Sequence, residues 1–425
     1  MPGTTTRSSD IRLDSLTRRD LTPLFAATAT YDPKPVYRAL RDEWGPVAAV
    51  ELSDGVPAWL VTDYSDVVRV LRDSRTFTRD VTHWTPFQAG QVPPGTGLHA
   101  FFSPRENAYY TDGRRRERLR QVVDDAFAGI DERTLAREVR NACDRMLSRI
   151  ATAGTADLVP TYTALVPSLA VATMYGLGPE DADSMRVYAT DIFSNTAAAV
   201  PAFIGLNTML AKLIEERRVR PGNDVLSAIV HHENDLTPSE LLDTAQMVQS
   251  AGHEMAVAWT TMTLVHMLGD ANFAGRVHGG RIGVDDALNT VLVHSSPAWN
   301  TPCRFVTQDI EIGGRIVHAG EAVVTAVAEA TAAVHRTTNA EWSDSSRAYL
   351  AFSTGPHHCP ADRISRIIVK VAVEQALIRL PGLKLAVPAD KLGYSPSLWA
   401  RSAPTLPVTF QPGISAERER AAYRW

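Results

Sequence analysis

The chain has 425 residues, 44% hydrophobic and 21% charged, the makeup of a globular protein long enough to bury a large core. A formal net charge of -5 lacks the basic footprint of a nucleic-acid binder. Three widely spaced cysteines, Cys143, Cys303 and Cys359, with no CxxC and no histidine pair at zinc spacing, argue against a disulfide framework and for a reducing compartment.

Residues 1–20 are rich in Thr, Ser, Arg and Asp and lack the apolar run of a signal peptide or membrane anchor, and no other stretch would span a bilayer. They are expected to form a disordered tail. Residues 21–425 show no linker, charge block or repeat and are expected to form a single cytoplasmic domain. The apolar runs 47–52 and 58–61 flank Asp54-Gly55 and read as a hairpin. In 64–73, Val67, Val68, Val70 and Leu71 stand at helical spacing. The stretch 82–104, loaded with Pro, Gly, Trp and Phe, reads as a long functional loop whose Trp84, Phe87, Phe101 and Phe102 prefer burial. Helical patterns dominate 114–269. Thr237-Pro238-Ser239-Glu240 joins a capping Thr, a Pro at the first helical position and a Glu three residues after the cap. It predicts a long, largely buried helix to about residue 268. A further helix is predicted over 285–294, short strands over 304–324 with a Gly313-Gly314 turn, and a last strand over 406–410. The fold class is mainly α with a minor β portion.

The segment Phe352-Ser353-Thr354-Gly355-Pro356-His357-His358-Cys359-Pro360-Ala361 precedes an apolar helical pattern through Ile364, Ile367, Ile368, Val371 and Ile378. A loop thus delivers a cysteine to a helix start, where unpaired N–H groups and the helix dipole favour the thiolate. A thiolate ligates iron and pushes electron density toward it, favouring O–O cleavage. A lone cysteine in apolar surroundings is more often inert, so the surrounding pattern decides.

That pattern resembles the heme-binding loop of the cytochrome P450 superfamily: Phe, two residues, Gly, one residue, a basic residue, one residue, Cys. Phe352, Gly355, His357 and Cys359 match in register, Arg366 matches the basic residue of the next helix, and Ala361 replaces the usual glycine. The likeness covers nearly the whole chain, through Gly45-Pro46-Val47, Ala58-Trp59-Leu60-Val61, Arg118-Leu119-Arg120 with Phe127, Ala251-Gly252-His253-Glu254, and Arg304. It implies the single-domain cytochrome P450 fold, a triangular prism with a long central oxygen-side helix and a C-terminal cysteine loop and helix. It implies heme b with Cys359 on the iron and Arg116, Arg120, Arg304 and His357 toward the two propionates. Ala251, Gly252, Phe352, Gly355 and Ala361 would also border the cofactor. Electrons would come from NAD(P)H through ferredoxin reductase and an acidic ferredoxin, drawn by Arg114, Arg115 and Arg118.

Three departures stand out. Met255 follows Glu254 where the family has a threonine, and a methionine does not organise water as a hydroxyl does. Proton delivery during dioxygen activation then falls to Glu254 with water, to His253 or to a substrate hydroxyl. The Glu-x-x-Arg pair before Pro297 is replaced by Thr290 and Val293, and the segment between His335 and Phe352 lacks the Phe-and-Arg meander that partners the pair. Joint loss leaves no orphaned charge. In this, and in the wording around Trp44, Trp59, Trp84 and Trp259, the chain resembles an actinobacterial subset of the superfamily that lacks the pair.

By the same resemblance, Trp84 and Phe87, Ser296, Trp299 and Asn300, and Leu398 and Trp399 would line the distal pocket around a small-molecule or peptide substrate, although each aromatic taken singly is more often core. The expected function is a monooxygenase of specialised metabolism that uses dioxygen to hydroxylate a bulky substrate, such as a peptide or polyketide, or to couple its carbons and heteroatoms. A catalytically silent heme-binding scaffold and a peroxide-driven oxidase are the alternatives.

Overall fold

The computed structural model describes residues 10–53, 55–192, 198–270, 273, 275, 283–337 and 348–413. They fall into two compact units, one drawn from Met1–Gln121, Leu292–Cys359 and Tyr394–Arg401, the other from Val122–Val291, Pro360–Gly393 and Ser402–Trp425. Each unit takes its chain from three separated stretches, so no composition break marks a boundary in the sequence.

The first unit is built on a six-stranded sheet, in the order Thr22–Pro23, Val47–Ser53, Val56–Val61, Ala322–Thr325, Thr301–Val306, Phe77–Thr78. The expected hairpin forms, with Val47 opposite Val61 and Ala49 opposite Trp59. Gly55, at φ +83, serves its turn, and Asp54 lies outside the described residues. Both strands are buried almost throughout, as continuous apolar runs covered on both faces should be. At the far edge Phe77 pairs with Val306 and Thr78 with Phe305, which carries Arg79 toward Arg304.

Two expectations for this unit need correction. Of the predicted tail, residues 1–9 lie outside the described residues, but Leu13–Ser15 and Arg18–Asp20 are 3-10 turns. Leu13 is buried and donates its N–H to Glu321 Oε1 at 2.8 Å; one anchored apolar residue ties down a polar terminus. The stretch read as irregular contains the short helices Thr85–Gln88 and Gly97–Phe102. Aromatic packing organises it: Trp84 stacks on Phe305 at 5.1 Å and meets Phe102 edge-on at 5.3 Å.

The second unit is helical around Pro238–Gly269. Its start is the capping box read from sequence: Glu240 N–H donates to Thr237 Oγ1 at 3.3 Å, and Thr237 N–H to Glu240 Oε2 at 3.1 Å. The helix packs against Val166–Met174, Ala199–Val219 and Asp362–Arg379, which accounts for apolar side chains on every face. Buried tyrosines tie the layers through their hydroxyls, Tyr175 to Ala245 O and Tyr162 to Ala372 O, both at 2.7 Å. Pro407–Thr409, the last predicted strand, pairs with Thr155–Asp157 and Lys384–Leu385. Among the described residues no helix is long and apolar enough to cross a membrane.

Candidate functional site

The cysteine loop closes the first unit. Cys359 N–H donates to Phe352 O at 2.9 Å and His358 N–H to Gly355 O at 3.0 Å, folding the loop back on itself. Gly355 is required twice. Its φ is +70, and an added Cβ would lie 2.8 Å from Arg72 Cα and 2.9 Å from Leu71 O. Ser353 also sits at positive φ, +61, a conformation that costs a non-glycine residue about 1–3 kcal/mol. Arg120, predicted to reach a propionate, donates from Nη1 to His358 O at 2.6 Å and so braces the carbonyl before the cysteine. In the second unit, Ala361 is the N-cap of Asp362–Arg379 at φ -103 and ψ 18, ordinary alanine geometry, so the usual glycine is dispensable there.

Deeper in the first unit lies a cluster of buried cations. Arg304 is fully buried, and none of its three guanidinium nitrogens meets an acceptor among the described residues. Arg79 is 5% exposed, its Nε and Nη1 likewise lack acceptors, and its Cζ lies 4.3 Å from the Tyr109 ring centroid. Arg116 is buried as well. The carboxylate among them, Asp112, is already engaged: it accepts from Thr78 Oγ1 and Arg79 N–H, both at 2.6 Å, and from His357 Nε2 at 2.8 Å. Burial opposes charge on Asp112, but the hydrogen bonds from His357, Thr78 and Arg79 N–H hold it below the usual carboxylate range. Burial first, and Arg304 second, push His357 down to about 3, so a neutral imidazole donates to an ionised Asp112. Burial raises the Cys303 thiol to about 12, leaving it neutral. The surplus is positive, and the two propionates of heme fit it in sign.

The cluster therefore gathers Arg116, Arg304 and His357 from the predicted set and adds Arg79, Tyr109 and Asp112. Asp112, just before the helix Gly113–Ala128, stands at a helix-start position readable in the sequence. Arg79 carries no local signal.

The predicted substrate residues divide. Trp299 is 3% exposed and packs on Tyr37 at 5.8 Å. Asn300 accepts from Tyr37 Oη at 3.0 Å and donates to Leu398 O at 2.9 Å, and buried Ser296 donates to Ala298 O at 3.0 Å. Those three, with fully buried Trp84, are held by contacts within the first unit. Phe87 and Leu398 are half-buried. Phe101, also half-buried, lies 5.7 Å from Trp399, which is itself buried at 8% exposure.

In the second unit, the helix Pro238–Gly269 presents Ala251 exposed and Gly252, Glu254 and Met255 half-buried. Packing does not demand the glycine: a Cβ at 252 would meet Val171 Cγ2 at 3.8 Å, an ordinary contact. His253 is buried, with Nδ1 2.9 Å from Ser168 Oγ. Glu254, one step of about 100° further round the helix, is raised above the usual carboxylate range by burial. Arg366 lies 5.4 Å from the Trp259 ring centroid. Where the ion pair would stand, Thr290 Oγ1 donates to Asp286 O at 2.8 Å, and in the first unit Val293 is buried. Much of the expected meander, 338–347, lies outside the described residues.

Two measurements check this geometry. Gly355→Ala should cost at least about 1 kcal/mol and lower the thermal midpoint, whereas Ala361→Gly should shift stability by less than about 1 kcal/mol; equal effects would contradict the assigned backbone. Burial pushes both His253 and His294 down to about 4. Each binds a proton near pH 6.5 when unfolded and stays neutral when folded, so its contribution is complete above that pH and is lost as pH falls toward the folded value. In urea unfolding between about pH 6 and 4.5, His253→Gln should flatten the pH slope by up to about 1.4 kcal/mol per unit; an unchanged slope would show an ordinary histidine.

No family model matches the chain. It is 30% identical over 403 residues to nocardicin C N-oxygenase of Nocardia uniformis subsp. tsuyamanensis, covering 91% of this chain and 98% of that protein. It is 27% identical over 406 residues to a vitamin D(3) 25-hydroxylase of Pseudonocardia autotrophica, covering 92% and 96%. The crystal structure of CYP154A1 from Streptomyces coelicolor A3(2) superposes with a TM-score of 0.79 at 27% identity, over 92% of this chain and 99% of that one. Bacterial proteins of this kind carry heme b and draw electrons from NAD(P)H through ferredoxin reductase and ferredoxin. With likeness over 91% of its length, a cysteine loop in register and a buried cationic cluster suited to propionates, the chain belongs to the cytochrome P450 family of monooxygenases.

Proposed function

We propose that this monooxygenase hydroxylates, or oxidatively couples, a bulky and largely apolar substrate of specialised metabolism, with electrons from an acidic ferredoxin. The observation that carries heme binding is the buried Arg304 cluster, whose unanswered charge suits a carboxylate-bearing cofactor; catalysis over a silent heme-binding scaffold is supported by the likeness to nocardicin C N-oxygenase over 91% of the chain. When bound, heme supplies the activation of dioxygen. Cys359 would hold its iron, and Arg304, Arg116 and His357 its propionates, while Arg120 braces the loop carbonyl.

On the substrate side, the half-buried Phe87 and Phe101 support a bulky apolar ligand, as does the likeness to a vitamin D(3) 25-hydroxylase. For proton delivery the support favours Glu254. Its carboxyl is raised and so holds a proton closer to neutral pH, whereas His253 is engaged with Ser168. The ferredoxin site we favour is a cleft of about 410 Å³ lined by Arg75, Arg114, Glu117 and Pro356 among others, where exposed arginines face solvent beside the cysteine loop.

Turnover with NADH, ferredoxin reductase and ferredoxin tests the reading. Glu254→Gln should lower product formation about a hundredfold with more hydrogen peroxide released per NADH, and Met255→Thr should raise the product share. Product from added peroxide alone, at a higher rate than with ferredoxin, would move the reading to a peroxide-driven oxidase. Arg114→Glu should raise KM for ferredoxin at low salt and leave kcat at saturation unchanged; an unaltered KM would place the docking face elsewhere.

A further inference from the structure

The heme-thiolate reading leaves one buried residue without a role. Arg79 follows the two-residue strand Phe77–Thr78 and is not among the motif residues that carry the family resemblance. Yet the antiparallel pairing of Thr78 with Phe305 carries it to Arg304, and both lie in the first unit. Two like charges are therefore buried side by side, Arg79 at 5% exposure and Arg304 at 0%. Five guanidinium nitrogens, two of Arg79 and three of Arg304, have no acceptor among the described residues.

The neighbours do not answer these charges. Of the charged groups acting on Arg304, Arg79 and Arg116 add positive charge and Asp112 opposes it. Both Asp112 oxygens are taken by Thr78 Oγ1, the backbone N–H of Arg79 and His357 Nε2. Cys303, also close to Arg79, is a neutral thiol. The Tyr109 ring, 4.3 Å from Arg79 Cζ, fixes the direction of the guanidinium without neutralising it. A packing role alone would be met by a methionine or leucine with no buried charge. Two guanidiniums with free donors are instead the geometry that grips one carboxylate from two sides.

We propose that Arg79 is a second guanidinium anchor of the heme, closing with Arg304 on one propionate. The proposal rests on the heme-thiolate reading. A carboxylate on the substrate would offer the same chemistry, but Arg304, fully buried beside Arg79, ties the pair to the cofactor.

The test compares holoenzymes reconstituted with heme b and with its dimethyl ester, in which both propionates are blocked. Heme loss is followed by transfer to excess apomyoglobin for wild type, Arg79→Met and Arg79→Lys. With heme b, Arg79→Met should lose heme about tenfold to a hundredfold faster than wild type, the effect of one charge-assisted hydrogen bond, and Arg79→Lys should fall between. With the dimethyl ester, the three proteins should agree within about threefold, since the partner of Arg79 is gone. Equal acceleration with both hemes would overturn the proposal by showing that Arg79 acts through packing. Unchanged loss with both, together with weakened binding of carboxylate-bearing ligands in Arg79→Met, would overturn it in favour of a substrate anchor. Failure of the heme-thiolate reading has a separate signature: wild type itself would retain no heme, or Cys359→Ala would leave its spectrum unaltered. Should Arg79→Met not fold, Arg79→Lys against wild type in the two hemes decides the same question.

Discussion

Positive charge buried around Arg304 is the constraint on which the rest of this protein depends. A guanidinium removed from water without an acceptor is strongly disfavoured, and here two lie together with unanswered donors. The surrounding groups keep that charge positive. Asp112 is occupied by His357, Thr78 and a backbone N–H, and His357 and Cys303 stay neutral. A bound anion would resolve the imbalance, as the propionates of heme would in the proposed reading.

The cysteine loop meets a different demand, precision of backbone. Gly355 lets the loop pass against Tyr64–Arg72 at a distance no side chain permits. Arg120 grips the carbonyl before the cysteine, and Cys359 N–H closes the turn on Phe352 O. Ala361 needs none of this special geometry. The missing ion pair follows the same logic in reverse. Thr290 bonds within its own helix and Val293 is buried as an apolar residue, so each position is satisfied separately. Losing both halves of a buried pair is tolerable where losing one is not.

What was readable in the sequence shares one property: it is local. The hairpin at Gly55, the capping box at Thr237 and the cysteine loop are written within a few residues of one another, and the structure has them where expected. What was not readable depends on pairing across the chain. Arg79 matters because Thr78 pairs with Phe305, and nothing near residue 79 announces it. Trp299 and Asn300 were expected at the pocket by resemblance, and the contacts that fix them, with Tyr37 and Leu398, come from distant parts of the chain. The polar start of the chain read as a tail because one buried leucine, Leu13, leaves almost no trace in composition.

The measurement that bears most directly on all of this is the carbon monoxide difference spectrum of the reduced protein, set beside that of Cys359→Ala. A thiolate ligand at Cys359 predicts a red-shifted Soret band in the wild type that disappears in the variant. Heme-loaded wild type without that band, or a variant that keeps it, would contradict thiolate ligation by Cys359 and with it the monooxygenase chemistry assigned to the site.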